Sequence, residues 1–202
     1  NELEGHRIKL GGRTGNKLSK RFWLEGHVIY GTKDERFKWD FSAIYHLNKR
    51  KNPWRMIGLK AKMDSDQLGL STSQWRADNF LGSFLRRRRL SDLSYVNSVQ
   101  IYYDHDWFSG LNNKIFITWM EVYQTPTLRF GYIDPATGLV GNFAEKFTRA
   151  EIQLETIFSY GQKFLVGRGK RRAIRGQYPT VKLNYSLGIK GFLGSEFNYH
   201  NI

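Results

Sequence analysis

Residues 37 to 47 alternate between apolar and polar side chains over an unusual length. Phe37, Trp39, Phe41, Ala43, Tyr45 and Leu47 form one row, and Lys38, Asp40, Ser42 and His46 the other, with Ile44 as the exception. A period of two describes a β-strand whose faces meet different surroundings. Ten residue steps at about 3.3 Å span roughly 33 Å. Tilted by about 40°, such a strand rises roughly 25 Å, the height of the apolar band on an outer-membrane barrel. Strands of globular proteins are shorter, about 5–6 residues.

The same rhythm recurs along the chain. It predicts strands over residues 4–13, 21–31, 54–63, 95–107, 114–124, 148–158 and 180–191, with a ninth begun after residue 194. In 148–158, Ile152 and Leu154 oppose Arg149, Glu151, Gln153 and Glu155; in 180–191, Leu183, Tyr185 and Leu187 oppose Lys182, Asn184 and Ser186. Three stretches break the rhythm: 64–94, 125–146 and 161–179. Phe80, Phe84 and Leu85 have helical spacing, which predicts a short helix over 78–87. The reading is all-β, an antiparallel up-and-down meander of eight to nine strands in one domain. The chain opens at Asn1 directly into a strand pattern, so a processed chain or a fragment is expected, short of an N-terminal periplasmic domain and of further C-terminal strands.

Composition narrows the class. The 202 residues carry a net charge of +14, and 15% are aromatic. A barrel with a polar interior and an aromatic exterior has this balance, and so does a basic nucleic-acid-binding β-protein. There is no cysteine, which excludes a disulfide scaffold, a thiolate metal site and a thiol nucleophile. No run of 18 apolar residues occurs, so a membrane location requires a closed barrel.

Two basic clusters are candidate anion sites. Arg86, Arg87, Arg88 and Arg89 could clamp lipid phosphates, because guanidinium binds phosphate through two parallel bonds. Arg168, Lys170, Arg171, Arg172 and Arg175 lie among glycines whose amides could add to an anion site, without the spacing of a phosphate-binding loop. For both, a solvated loop of mutually repelling charges is the plainer reading. His105 lies between Asp104 and Asp106, but on a strand it points away from both, so no metal is expected. Glu151 and Glu155 share a face about 13 Å apart, too far to act as an acid–base pair. No constellation supports catalysis, and no cofactor is expected. Trp23, Tyr30, Trp54, Trp107, Trp119 and Tyr123 fall near strand ends, as interfacial aromatics do.

The pieces Glu4-Gly5-x-Arg7, Gly11-Gly12-Arg13-Thr14, Tyr30-Gly31-x-x-Asp34 and Phe37-Lys38-Trp39 resemble the outer-membrane barrel of a Bacteroidota family, the domain of unknown function 5686. Tyr178-Pro179, Asn184-Tyr185-Ser186-Leu187-Gly188 and Gly194-Ser195-x-Phe197-x-Tyr199 extend the resemblance, while His27 and Trp39 stand where tyrosines would be expected. Members often carry a carboxypeptidase-like regulatory domain, and the barrel is distantly similar to surface-antigen barrels that assemble or export proteins. The resemblance implies an outer-membrane location and a transmembrane barrel, not a reaction. Phe37, Trp39, Phe41, Tyr45, Leu47, Ile152, Leu154, Leu183, Tyr185 and Leu187 are then the expected lipid-facing set. Outer-membrane lipid and lipopolysaccharide are the expected partners, with other envelope proteins as further candidates; nucleic acid is not expected. Two alternatives stand beside this: a soluble basic β-protein that binds a polyanion, and a lipocalin-like barrel with its apolar row turned inward.

One difficulty concerns direction. If the first strand rises from the periplasm, the long segments 64–94 and 125–146 fall on the periplasmic side, where barrel turns are short. Either 64–94 holds a further strand, or the first strand starts from the other side.

Overall fold

The structure, a computed structural model, describes residues 3–15, 17–48, 53–67, 93–108, 110–126, 128–133, 140–166, 171–174 and 178–202. Its main feature is one antiparallel sheet of nine strands. In chain order these are β1 (Arg7–Arg13), β2 (Phe22–Gly31), β3 (Phe37–His46), β4 (Arg55–Gln67), β5 (Leu93–Phe108), β6 (Leu111–Tyr123), β9 (Lys146–Ser159), β12 (Thr180–Gly188) and β13 (Tyr199–Asn201). Each pairs with the next, and β1 and β13 form the edges. Two small hairpins stand apart from the sheet, β7 (Phe130–Ile133) with β8 (Val140–Ala144) and β10 (Phe164–Val166) with β11 (Arg171–Ala173).

The alternation in the sequence becomes a division between the two faces of this sheet. Register aligns Phe22, Tyr45, Ile57, Tyr103, Ile115, Leu154 and Tyr185 in one row across seven strands. Tyr45, Ile57, Ile115, Leu154 and Tyr185 in that row are exposed. The next row on the same face, Leu24, Ala43, Leu59, Ile101, Ile117, Ile152 and Leu187, is equally apolar. The opposite face carries Glu25, Ser42, Lys60, Gln100, Thr118 and Glu151 in one row. On that face Lys38 and His46 are 1% exposed, Gln100 0% and Glu151 2%, while Phe37 on the apolar face is 71% exposed. This inverts the usual arrangement, in which the apolar face of a sheet is covered and the polar face is wet.

The polar face is concave. Arg7 on β1 donates to Asp64 on β4 at 2.7 Å, although β2 and β3 lie between them in the sheet. Three strand spacings of about 4.8 Å would hold these backbones roughly 14 Å apart on a flat sheet. Lys9 on β1 likewise reaches Asp40 on β3 at 2.8 Å. The Arg7–Asp64 bond needs inward curling of β1 to β4.

Two glycines permit close aromatic cover on the polar face. Gly58 is the register partner of Tyr102, and a Cβ on it would lie 2.1 Å from that ring. Gly188 and Tyr199 repeat the arrangement, again at 2.1 Å. The aromatic fills the space that the glycine leaves, which is how sheets bend without opening a gap.

Several expectations change here. β4 and β5 run 13 and 16 residues and pair directly from Arg55 opposite His105 to Gln67 opposite Leu93. No strand is interposed between them, so β1 starts from the end of the sheet that carries the long connections after β4 and β6. The segments 125–146 and 161–179 contain the hairpins β7–β8 and β10–β11 rather than plain loops. Their strands are three to five residues long, too short to impose a readable alternation. The helix expected over 78–87 lies outside the described residues.

Candidate functional site: the ion-paired concave face

Three polar clusters occupy the concave face, and another caps one end of the sheet. The most buried lies at the end where β1 begins. Glu4, ahead of β1, accepts from Lys38 of β3 and from Ser65 of β4, the latter at 2.6 Å. Lys38 also donates to Asp34, in the β2–β3 turn, at 2.6 Å, and Tyr95 of β5 donates to the same carboxylate oxygen at 3.1 Å. The Arg36 guanidinium lies 4.4 Å from the Tyr95 ring centroid. Burial alone would raise the Glu4 carboxyl, but the hydrogen bonds of Lys38 and Ser65 and the charge of Arg7 outweigh it and hold the group below its ordinary value of 4.5. Asp34 is likewise held below 3.8: burial opposes its ionisation, and the Lys38 ammonium and the Tyr95 hydroxyl overcome it.

A second cluster joins Asp40 to Lys9 at 2.8 Å and to His27 Nδ1 at 2.6 Å. In a third, Glu155 receives Lys182 at 2.7 Å and Lys114 at 3.3 Å, and Asn112 donates to both Asp104 and Asp106, at 2.6 and 2.8 Å. The fourth ties β9 to β13: Arg149 donates to the Tyr199 hydroxyl at 2.7 Å, and Arg149 and Tyr199 both donate to Glu151 at 2.6 Å.

Most of these carboxylates are matched to cations. That makes an ion-paired lining rather than a poised acid–base pair. Glu151 and Glu155, which the alternation places on one face, belong to different clusters. Among the described residues, no group of three or more His, Cys, Asp or Glu is arranged to hold a metal ion. His105 points to the opposite face from Asp104 and Asp106, where it bonds Tyr103 at 3.0 Å and stacks on Trp107.

Of the basic candidates, Arg86, Arg87, Arg88, Arg89, Arg168, Lys170 and Arg175 lie outside the described residues. Arg171 and Arg172 belong to β11, opposite Val166 and Leu165. The ten expected lipid-facing residues share the convex side; Ile152 and Leu187 are half-buried among their neighbours and the other eight are exposed. The Glu4–Lys38–Ser65 group, and the addition of Tyr199 to Arg149 and Glu151, were not foreseen. Those members are far apart in sequence, and only the fold brings them together. The Asp34-to-Lys38 spacing across a turn and the Arg149–Glu151 alternation were the local signs.

No curated protein and no solved structure matches the chain. The family model for the C-terminal domain of a family of unknown function, DUF5686, matches residues 1–202. The whole chain lies within that match, and the protein belongs to this family.

Proposed function

We propose that this chain forms part of a β-barrel of the outer membrane with a hydrated, ion-paired interior. Its role is structural, in transport or in membrane assembly, and it performs no catalysis. Outer-membrane lipid and lipopolysaccharide surround it, and other envelope proteins are its further partners. The reading rests on one observation: the convex face carries a continuous apolar band across the strands, while the concave face buries Lys38, His46, Gln100, Gln153 and Glu151. In water the exposed rows would be a large apolar patch of the kind that drives association. In a bilayer they match the hydrocarbon, and the alternation apolar-out, polar-in is that of membrane barrels. Gln100 Oε1, Gln153 Oε1 and Ser98 Oγ have no hydrogen-bond partner among the described residues, and such groups are satisfied by water in a wet lumen. A lipocalin-like ligand barrel would need the apolar rows on the concave side.

Paired lysine substitutions test the reading. Phe41→Lys places a charge on the convex face and should cost about 2–4 kcal/mol of bilayer stability near the midplane. Ser42→Lys, between Glu25 and Lys60 on the concave face, should be mild. Equal tolerance of the two, or recovery of the chain in the soluble fraction, would refute the membrane reading; steep salt-dependent binding to nucleic acid would favour the soluble alternative.

A further inference from the structure

The strand order sorts the connections into two groups, one at each end of the sheet. Among the described residues, 3–6, 32–36, 124–126, 128–133, 140–145 and 189–198 lie at the end where β1 begins. At the other end lie 14–15, 17–21, 47–48, 53–54, 110, 160–166, 171–174 and 178–179. The first group carries four Lys or Arg and five Asp or Glu. The second carries six Lys or Arg and no Asp or Glu.

Apolar side chains accompany this charge. At the same end Leu18 is 72% exposed, Trp107 60%, Tyr160 65% and Tyr178 55%. Tyr160 and Tyr178 meet edge-to-face with ring centroids 5.2 Å apart. Exposed aromatics among basic residues, at the margin of an apolar belt, suit the headgroup level of a bilayer: the rings settle among the headgroups and the cations meet phosphate. A single-stranded nucleic acid could also stack on exposed aromatics, but it would leave the apolar belt bordering them unexplained.

We infer that this basic end is a docking surface for anionic glycerophospholipid headgroups, with Lys17, Lys20, Arg21, Arg55 and Lys163 as its described cations. The inference rests on the membrane reading above. The two longest connections between neighbouring strands, from β4 to β5 and from β6 to β9, start from strand ends on the neutral side, and outer-membrane barrels carry their longer loops outside. The basic end then faces the periplasm, where the leaflet is phospholipid, so phosphatidylglycerol-type phosphate is the ligand rather than the phosphates of lipopolysaccharide.

The test uses the purified chain folded into phosphatidylcholine vesicles with a minority of brominated lipid. Quenching of tryptophan fluorescence by brominated phosphatidylglycerol, compared with brominated phosphatidylcholine, measures which lipid lies beside the protein. The native chain should favour phosphatidylglycerol, and added salt should weaken the preference. Lys17→Gln with Lys20→Gln should lower it by about fivefold per lysine at low salt. Lys33→Gln with Lys190→Gln, at the neutral end, should leave it unchanged; circular dichroism checks that each variant is folded. Insertion with no preference, or equal loss in both double variants, overturns the inference while the barrel reading stands. A preference for brominated lipid A without one for phosphatidylglycerol overturns the assigned leaflet. Failure of the native chain to insert into any vesicle removes the barrel reading itself.

Discussion

Tyr102 lies over Gly58, its direct register partner on the neighbouring strand, so closely that a Cβ on the glycine would sit 2.1 Å from the ring. Tyr102 is buried, and its other ring neighbour is Phe116 on β6, with centroids 5.8 Å apart. The ring is thus packed from both adjacent strands. Gly58→Val should displace it and cost about 1–3 kcal/mol by overpacking. Gly26→Val, where a Cβ would meet nothing nearer than 3.6 Å, should cost less. Urea unfolding of the two variants under identical conditions checks the order.

The Glu4–Lys38 pair should be among the costliest contacts to break. Both side chains are almost wholly buried, and Lys38 also serves Asp34. Removing one partner leaves an uncompensated charge, so Lys38→Met should destabilise by about 3–5 kcal/mol. Adding Glu4→Gln to that variant should restore part of the loss, and a double-mutant cycle reads the coupling. Strict additivity of the two changes would show that the pair is not coupled.

Acid should loosen the same end of the sheet. The carboxyls of Glu4 and Asp34 are lowered in the folded chain from ordinary values of 4.5 and 3.8. A lowered carboxyl contributes stability that is fully present above its ordinary value and is lost as pH falls through its folded value. The stability difference between the native chain and Glu4→Gln should therefore be constant from neutral pH to about 5 and shrink on further acidification. A difference that instead grew below pH 5 would reverse the sign assigned to Glu4.

Tyr199 anchors the last strand of the sheet. Its hydroxyl accepts from Arg149 and donates to Glu151, while the ring covers Gly188. Tyr199→Phe keeps the cover and removes both hydrogen bonds, at about 1–3 kcal/mol for the partners left buried. Tyr199→Ala removes the cover as well and should cost more. Hydrogen exchange on β12 and β13 should report both changes locally, with β2 and β3 unaffected.

Much of the sheet was legible in the sequence because every long strand is two-faced, and a period of two survives without knowledge of partners. Phe37 to Leu47 reads as a strand from its own residues. The small hairpins were not legible, since Phe164–Val166 and Arg171–Ala173 are too short to show a period. The polar clusters were legible only in part. Alternation places Glu151 and Arg149 on one face, but it cannot say that Tyr199, 48 residues beyond Glu151, completes their group. Asp40 shows the limit most plainly: its position marks it as an ordinary polar-face residue, whereas register sets it opposite His27 and within reach of Lys9 from two strands away.

The connection between β5 and β6 is only Ser109 and Gly110, and it closes a ladder running from Phe108 opposite Leu111 to Tyr95 opposite Tyr123. Every other neighbouring pair in the sheet closes a longer loop. Loop-closure entropy rises with length, so this hairpin forms at the smallest chain-entropy cost. Gly110 has φ of +105°, a conformation that other residues resist. The order of assembly is therefore expected to start at the centre of the sheet and spread to both edges, and Gly110→Val should slow folding far more than it speeds unfolding.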